Sequence, residues 1–142
     1  MNKNNPQLDL KNQLCFPLYA ASRKIVNLYT PLLKELQITY TEYLVFLVLW
    51  EKDDIYVSDI CDRLYLDNGT ITPLLKKLEN VGFITRTRSK TDERKVSVSL
   101  TNKGKELEEK AKNIPESIAK CMSLEVDEAK TLYSVLYKIL NN

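Results

Sequence analysis

Asp67-Asn68-Gly69-Thr70-Ile71-Thr72-Pro73-Leu74-Leu75-Lys76-Lys77-Leu78-Glu79-Asn80-Val81-Gly82 reads as a short helix with a polar start and a glycine stop. Asp67 or Asn68 can accept hydrogen bonds from the first free backbone N–H groups, and Gly82 suits the left-handed residue that ends a helix. Ile71, Leu74, Leu75, Leu78 and Val81 recur at helical spacing and predict one apolar stripe. The opposite face offers Asn68, Thr70, Thr72, Lys76 and Lys77, side chains that suit phosphates and base edges. A solvated polar face on an ordinary amphipathic helix would look the same. The flanking segments decide between the two.

Upstream, residues 42–52 carry Tyr43, Leu44, Phe46, Leu47, Leu49 and Trp50, apolar nearly all round, which predicts a buried helix with Thr41 as its cap. Asp53 and Asp54 end it. Ser58 is expected to cap a second short helix that turns Ile60, Cys61 and Leu64 inward, and residues 65–68 link it to the stretch above. Two short helices joined in this way make a helix-turn-helix, whose second member enters the major groove. Downstream the period changes from helical to two: residues 83–88 and 95–100 alternate, with the polar Ser89-Lys90-Thr91-Asp92-Glu93-Arg94 between them. That is a β-hairpin wing. Thr101 is expected to cap a helix through Lys112.

The ends of the chain read differently. Residues 1–7 are expected to be disordered or loosely held. Residues 8–36 are helical in pattern through Leu10, Leu14, Leu18, Ala21, Ile25, Leu28 and Leu32, with Pro17 expected to loosen or kink the helix beside Cys15 and Pro31 a second interruption. A last helix over 126–140 places Val126, Ala129, Leu132, Tyr133, Leu136 and Leu140 on one stripe. The fold class is therefore mostly α with a small β-hairpin. One domain spans 1–142, with a winged helix-turn-helix at 41–104 and dimerisation helices at 8–36 and 105–142. Those outer helices carry more apolar stripe than one small domain covers, which predicts a homodimer.

The net charge of the 142 residues is only +2, but it is unevenly placed. Residues 68–104 hold eight cations against three anions, so a basic segment sits inside a mildly acidic remainder. Arg86, Arg88, Lys90 and Lys95 would hold phosphates, and Arg94 at the hairpin tip would reach a narrow minor groove. Histidine is absent, which removes Ser-His and Cys-His hydrolases. The three cysteines, Cys15, Cys61 and Cys121, are far apart in sequence, which argues against a disulfide framework and a zinc site. No metal or cofactor is expected, nor an enzyme. No apolar run is long enough to span a bilayer, and no apolar core follows Lys3, so neither a membrane association nor a signal peptide is expected; the expected location is the cytoplasm.

With these residues in place the chain resembles the MarR family of transcriptional regulators. The resemblance is carried by residues 67–79, by Gly82-Phe83-Ile84, by Asp92-Glu93-Arg94 and by Leu100-Thr101-Asn102-Lys103-Gly104. It implies double-stranded DNA with a pseudo-palindromic operator as partner, and an aspartate at Asp92 that orients Arg94. The run Asn12-Gln13-Leu14-Cys15-Phe16-Pro17-Leu18-Tyr19-Ala20-Ala21-Ser22-Arg23, with Tyr29 and Tyr40, is similar to the organic-peroxide-sensing, OhrR-like branch. That likeness implies Cys15 as redox sensor, Tyr29 and Tyr40 as its hydrogen-bonding partners, and organic hydroperoxide as signal. It implies a repressor that releases DNA on oxidation. The resolving thiol would be Cys121, in the other subunit, or a small-molecule thiol. Cys61 reads as core. The alternative is a MarR-type repressor released by a small aromatic or phenolic ligand.

Overall fold

The computed structural model describes residues 5–142. Its elements are α1 (Cys15–Glu35), α2 (Tyr40–Glu51), β1 (Ile55–Tyr56), α3 (Val57–Leu64), α4 (Asn68–Val81), β2 (Ile84–Arg88), β3 (Val96–Leu100), α5 (Asn102–Ala111), α6 (Ile114–Met122) and α7 (Val126–Leu140). The strands form one antiparallel sheet in the order β1-β3-β2, with Ile84 opposite Leu100, Arg88 opposite Val96 and Ile55 opposite Val98. Mostly helical with one small sheet, the chain is a winged helix-turn-helix flanked by helices.

The helix that organises the fold is bounded as its sequence demands. The Asp67 carboxylate accepts the Thr70 N–H at 2.8 Å, and Gly82 takes φ 91°. Phe83 N–H then reaches back to the Leu78 carbonyl at 3.0 Å, closing the helix end and aiming the chain into β2. Ile71, Leu75 and Leu78 are buried, Leu74 is half-buried, and Val81 is exposed at the last turn. Thr101 caps α5 by accepting the Gly104 N–H at 3.3 Å.

Several boundaries differ from the sequence reading. Helix α2 starts two residues early, because Thr39 and not Thr41 is the cap. Thr39 accepts the Glu42 N–H at 3.3 Å while the Glu42 carboxylate accepts the Thr39 N–H at 2.8 Å, a reciprocal box that leaves Thr41 inside the first turn. Helix α3 starts at Val57, ahead of Ser58, and Asp59 accepts the Tyr56 N–H at 3.3 Å. Pro17 does not kink a long helix. It is the third residue of α1, where its missing N–H would have had no partner anyway. The segment before it forms two 3-10 turns, Pro6–Leu8 and Leu10–Asn12, in place of continuous helix and of the loose run expected up to Gln7. Residues 1–4 of that expectation lie outside the described residues. Pro31 does not end α1 either: it is exposed, and the helix continues to Glu35 with only the bond to the Asn27 carbonyl forgone. Strand β1 and helix α6 were not expected at all.

The chain divides into two compact units, one of residues 29–112 and one of residues 1–28 with 113–142. The first exceeds the expected 41–104 span because Leu33 and Ile38 before it, and Leu107 and Ala111 after it, are buried in its core with Phe46, Leu49 and Ile60. Gly104 is required there. A Cβ at this position would collide with the Phe83 carbonyl oxygen, while its own carbonyl accepts the Trp50 indole N–H at 3.1 Å. The second unit is sparse in core: Ile114 and Ile118 of α6 are its buried apolar side chains among the described residues, whereas Leu14, Val126 and Tyr133 are mostly exposed.

Candidate nucleic-acid interface

Helix α4 and the wing face each other across a cleft of about 580 Å³. Asn68, Thr72 and Lys76 line it from α4, and Arg86, Arg88, Asp92, Arg94 and Lys95 line it from the wing. Tyr56, Val57 and Ser58 close a third side. Eight of the residues singled out in the sequence as DNA-facing thus share one concavity. Tyr56 and Ser58 were missed. Their only sequence signal was a polar, aromatic start to α3.

The cations of this region divide into two kinds. Arg86 is a brace: its backbone N–H donates to the Glu79 carboxylate at 2.9 Å and its guanidinium does so at 3.1 Å, tying β2 to α4. These hydrogen bonds hold the Glu79 carboxyl below the usual carboxylate range. Lys77 lies outside the cleft and donates to Glu42 at 2.6 Å. Lys76, Arg88, Lys90, Arg94 and Lys95 are exposed, as Lys77 also is, but none of these five pairs with a carboxylate among the described residues. Arg88 reaches the Glu93 carbonyl at 2.6 Å, and Lys95 stands 5.2 Å from the centre of the Tyr56 ring. Thr70 is exposed beside the cleft.

The hairpin tip is ordered by its own side chains. Ser89 Oγ accepts the N–H groups of Thr91 and Asp92 at 3.3 Å, and the Asp92 carboxylate accepts the Arg94 N–H at 3.0 Å. Asp92 thus acts on the Arg94 backbone and shapes the turn from which that side chain projects. At the other end of the cleft the Cys61 thiol donates to Asn68 Oδ1 at 3.3 Å. Cys61 is buried, and burial, with Asp62 and Asp67 nearby, pushes its thiol up. That is the behaviour of a packing residue.

The redox candidates fall as follows. Cys15 is exposed as the first residue of α1, Cys121 is exposed in the last turn of α6, just ahead of α7, and all three thiols are free. Tyr29 packs against Tyr40 with ring centres 4.8 Å apart and against Tyr43 at 5.6 Å. Burial, then the neighbouring Tyr40 and Tyr43, pushes the Tyr29 phenol up to about 12, and burial also raises Tyr40 and Tyr43. All three therefore keep their hydroxyl protons at neutral pH. Among the described residues no group of three His, Cys, Asp or Glu side chains could hold a metal ion, and no helix is long and apolar enough to cross a membrane.

A helix-turn-helix whose second helix shares a basic cleft with a β-wing defines a DNA-binding transcriptional regulator. The family model described as transcriptional regulator SarA/Rot matches residues 27–111. The chain is 46% identical over 140 residues to the organic hydroperoxide resistance transcriptional regulator of Bacillus subtilis (strain 168), covering 99% of this chain and 95% of the relative. It belongs to the MarR family of transcriptional regulators, in the OhrR-like branch. Among solved structures it is similar to AbfR of Staphylococcus epidermidis in three states. Reduced AbfR bound to DNA matches with TM-score 0.78 and 38% identity, over 96% of this chain and 95% of that one. Over-oxidised AbfR bound to DNA matches with 0.78 and 37%, over 96% of each chain. Disulfide-formed AbfR matches with 0.67 and 35%, over 95% of each.

Proposed function

We propose that this regulator is a cytoplasmic homodimeric repressor that holds a pseudo-palindromic operator while Cys15 is reduced and lets go when an organic hydroperoxide oxidises it. The near full-length identity to a hydroperoxide-resistance regulator carries this reading. Cys15 adds the chemistry: it is an exposed free thiol on the first residue of α1, within reach of a peroxide in solvent. Its thiolate attacks the terminal peroxide oxygen, the O–O bond breaks, and the alcohol leaves with a proton from solvent. Sulfur is oxidised to the sulfenic acid and the peroxide is reduced. Tyr29 and Tyr40 are the proposed hydroxyl donors to the sulfur, a role suited to phenols that stay protonated.

The sulfenic acid then condenses with a second thiol and expels water. Cys121 of the partner subunit is the proposed resolving thiol, and a small-molecule thiol is the substitute. AbfR supports the disulfide as the releasing form: over-oxidised AbfR was solved on DNA, and the disulfide form is the state this chain resembles less. The exposed apolar side chains of α1 and α7, among them Leu18, Val126 and Leu132, support a homodimer. Two recognition helices would then read half-sites roughly 34–36 Å apart.

A gel shift on the DNA upstream of its own gene tests the whole. Reduced protein binds, cumene hydroperoxide abolishes binding, dithiothreitol restores it, and Cys15→Ser binds without responding. Release that persists in Cys15→Ser, or that needs a phenolic ligand and no oxidant, overturns the redox reading.

A further inference from the structure

Glu42 is the buried charged side chain of this fold, 3% exposed among the described residues. Its two carboxylate oxygens do different jobs. Oε2 accepts the Thr39 N–H at 2.8 Å and fixes the first turn of α2, and Oε1 accepts the Lys77 ammonium at 2.6 Å and so grips the middle of α4. The same turn of α2 carries Tyr40 and Tyr43, whose rings pack on Tyr29. One helical turn therefore holds both the phenol cluster and the charged anchor of the recognition helix.

We propose that Glu42 is a positioning residue that couples the phenol cluster to α4 through Lys77; this rests on the redox reading above. The physical reason is an asymmetry. Lys77 is itself 57% exposed, but Glu42 is 3% exposed. Withdrawing Lys77 would therefore leave Oε1 buried without its cation while Oε2 kept only the Thr39 N–H, which costs more than breaking a pair exposed on both sides. When oxidation of Cys15 shifts Tyr29 and Tyr40, the first turn of α2 moves with its cap. Helix α4 follows it and does not slip past, because Lys77 stays bonded. Lys77 accordingly acts on DNA through helix placement, whatever it contributes as a cation. Oxidation of the Cys15 sulfur thereby reaches the groove-reading face through one hydrogen-bonded charge pair.

The test is operator affinity of the full-length dimer by fluorescence anisotropy, reduced and after one equivalent of cumene hydroperoxide. The readout is the ratio of oxidised to reduced Kd. Wild type shows a large ratio. In Glu42→Gln and in Lys77→Gln the ratio falls by about tenfold or more, while Lys77→Arg, which keeps the pair, stays within about threefold of wild type. If Lys77 served only as a direct phosphate ligand, Lys77→Gln would lower both affinities together and leave the ratio unmoved. Near-UV circular dichroism identifies a variant that has not folded, and the two independent Gln variants guard against losing either one. Wild-type ratios in both Gln variants overturn the coupling while leaving the redox reading intact. A wild-type protein that ignores the peroxide overturns both.

Discussion

The winged unit and the helical unit formed by the chain ends solve the same problem in opposite ways. In residues 29–112 each element is closed by partners of its own chain: Thr39 and Glu42 cap α2, Asp67 caps α4, Glu79 holds Arg86, and Phe46, Leu49 and Ile71 are fully buried. In residues 1–28 and 113–142 the described apolar side chains mostly face outward. A protein that must hold a rigid reading head and still respond to a signal benefits from that division. The head is closed within one chain, and the remainder leaves most of its described apolar side chains uncovered, so the proposed homodimer would supply their burial, which mass action would govern.

The sharpest way to break this contrast is truncation in each unit. Phe46→Ala should cost about 3–5 kcal/mol in urea unfolding, by the same amount at low and high protein concentration. Leu132→Asp should leave that core alone and abolish dimerisation in sedimentation equilibrium, with operator affinity lost in parallel. Equal concentration dependence in both variants would erase the distinction. Gly104→Ala comes next. Overpacking against the Phe83 carbonyl should cost roughly 1–3 kcal/mol, read as a lowered Tm.

On the reading head, Arg94→Ala should weaken operator binding by about 1–2 kcal/mol and reduce the salt slope by about one, whereas Arg86→Ala should mainly lower thermal stability, because its charge is spent on Glu79. The smallest effect is alkaline. The Tyr29 phenol is raised in the folded state from 10.0 to about 12, so the folded protein holds its proton more tightly than the unfolded chain does. Its contribution to stability is whole below pH 10 and is lost as pH climbs from there towards 12. Tyr29→Phe should flatten the fall of Tm over that window.

The contrast also explains what could be read from the residues. Helix α4 was legible to within one residue because apolar period, the Asp67-Asn68 start and Gly82 agree, and the wing was legible because its alternation and its polar tip coincide. The start of α2 was misplaced because Thr39 and Thr41 are both plausible caps, and only the reach of Glu42 back to Thr39 distinguishes them. Strand β1 has two residues and exists only as a partner of β3. Helix α6 is nine residues long with Pro115 near its start, a residue that reads as a breaker unless the helix is known to begin one position earlier. The cleft brings together Asn68, Thr72 and Lys76, which the helical period puts on one face, and Arg88, Arg94 and Lys95, which the alternation puts on the hairpin. Lys77 and Arg86 look identical to them in sequence. Their difference lies in carboxylates 35 and 7 residues away, which only the tertiary fold brings near.

Trp50 is the chain's single tryptophan. Its indole stacks on Phe46 at 5.3 Å, meets the edge of Tyr43 at 6.4 Å and donates to the Gly104 carbonyl at the root of the wing. The molecule therefore contains its own optical probe, wedged between the aromatic cluster and the base of the hairpin. Ultraviolet emission recorded in a stopped-flow mixer can time any strain that passes from one to the other, with no dye attached and no residue replaced.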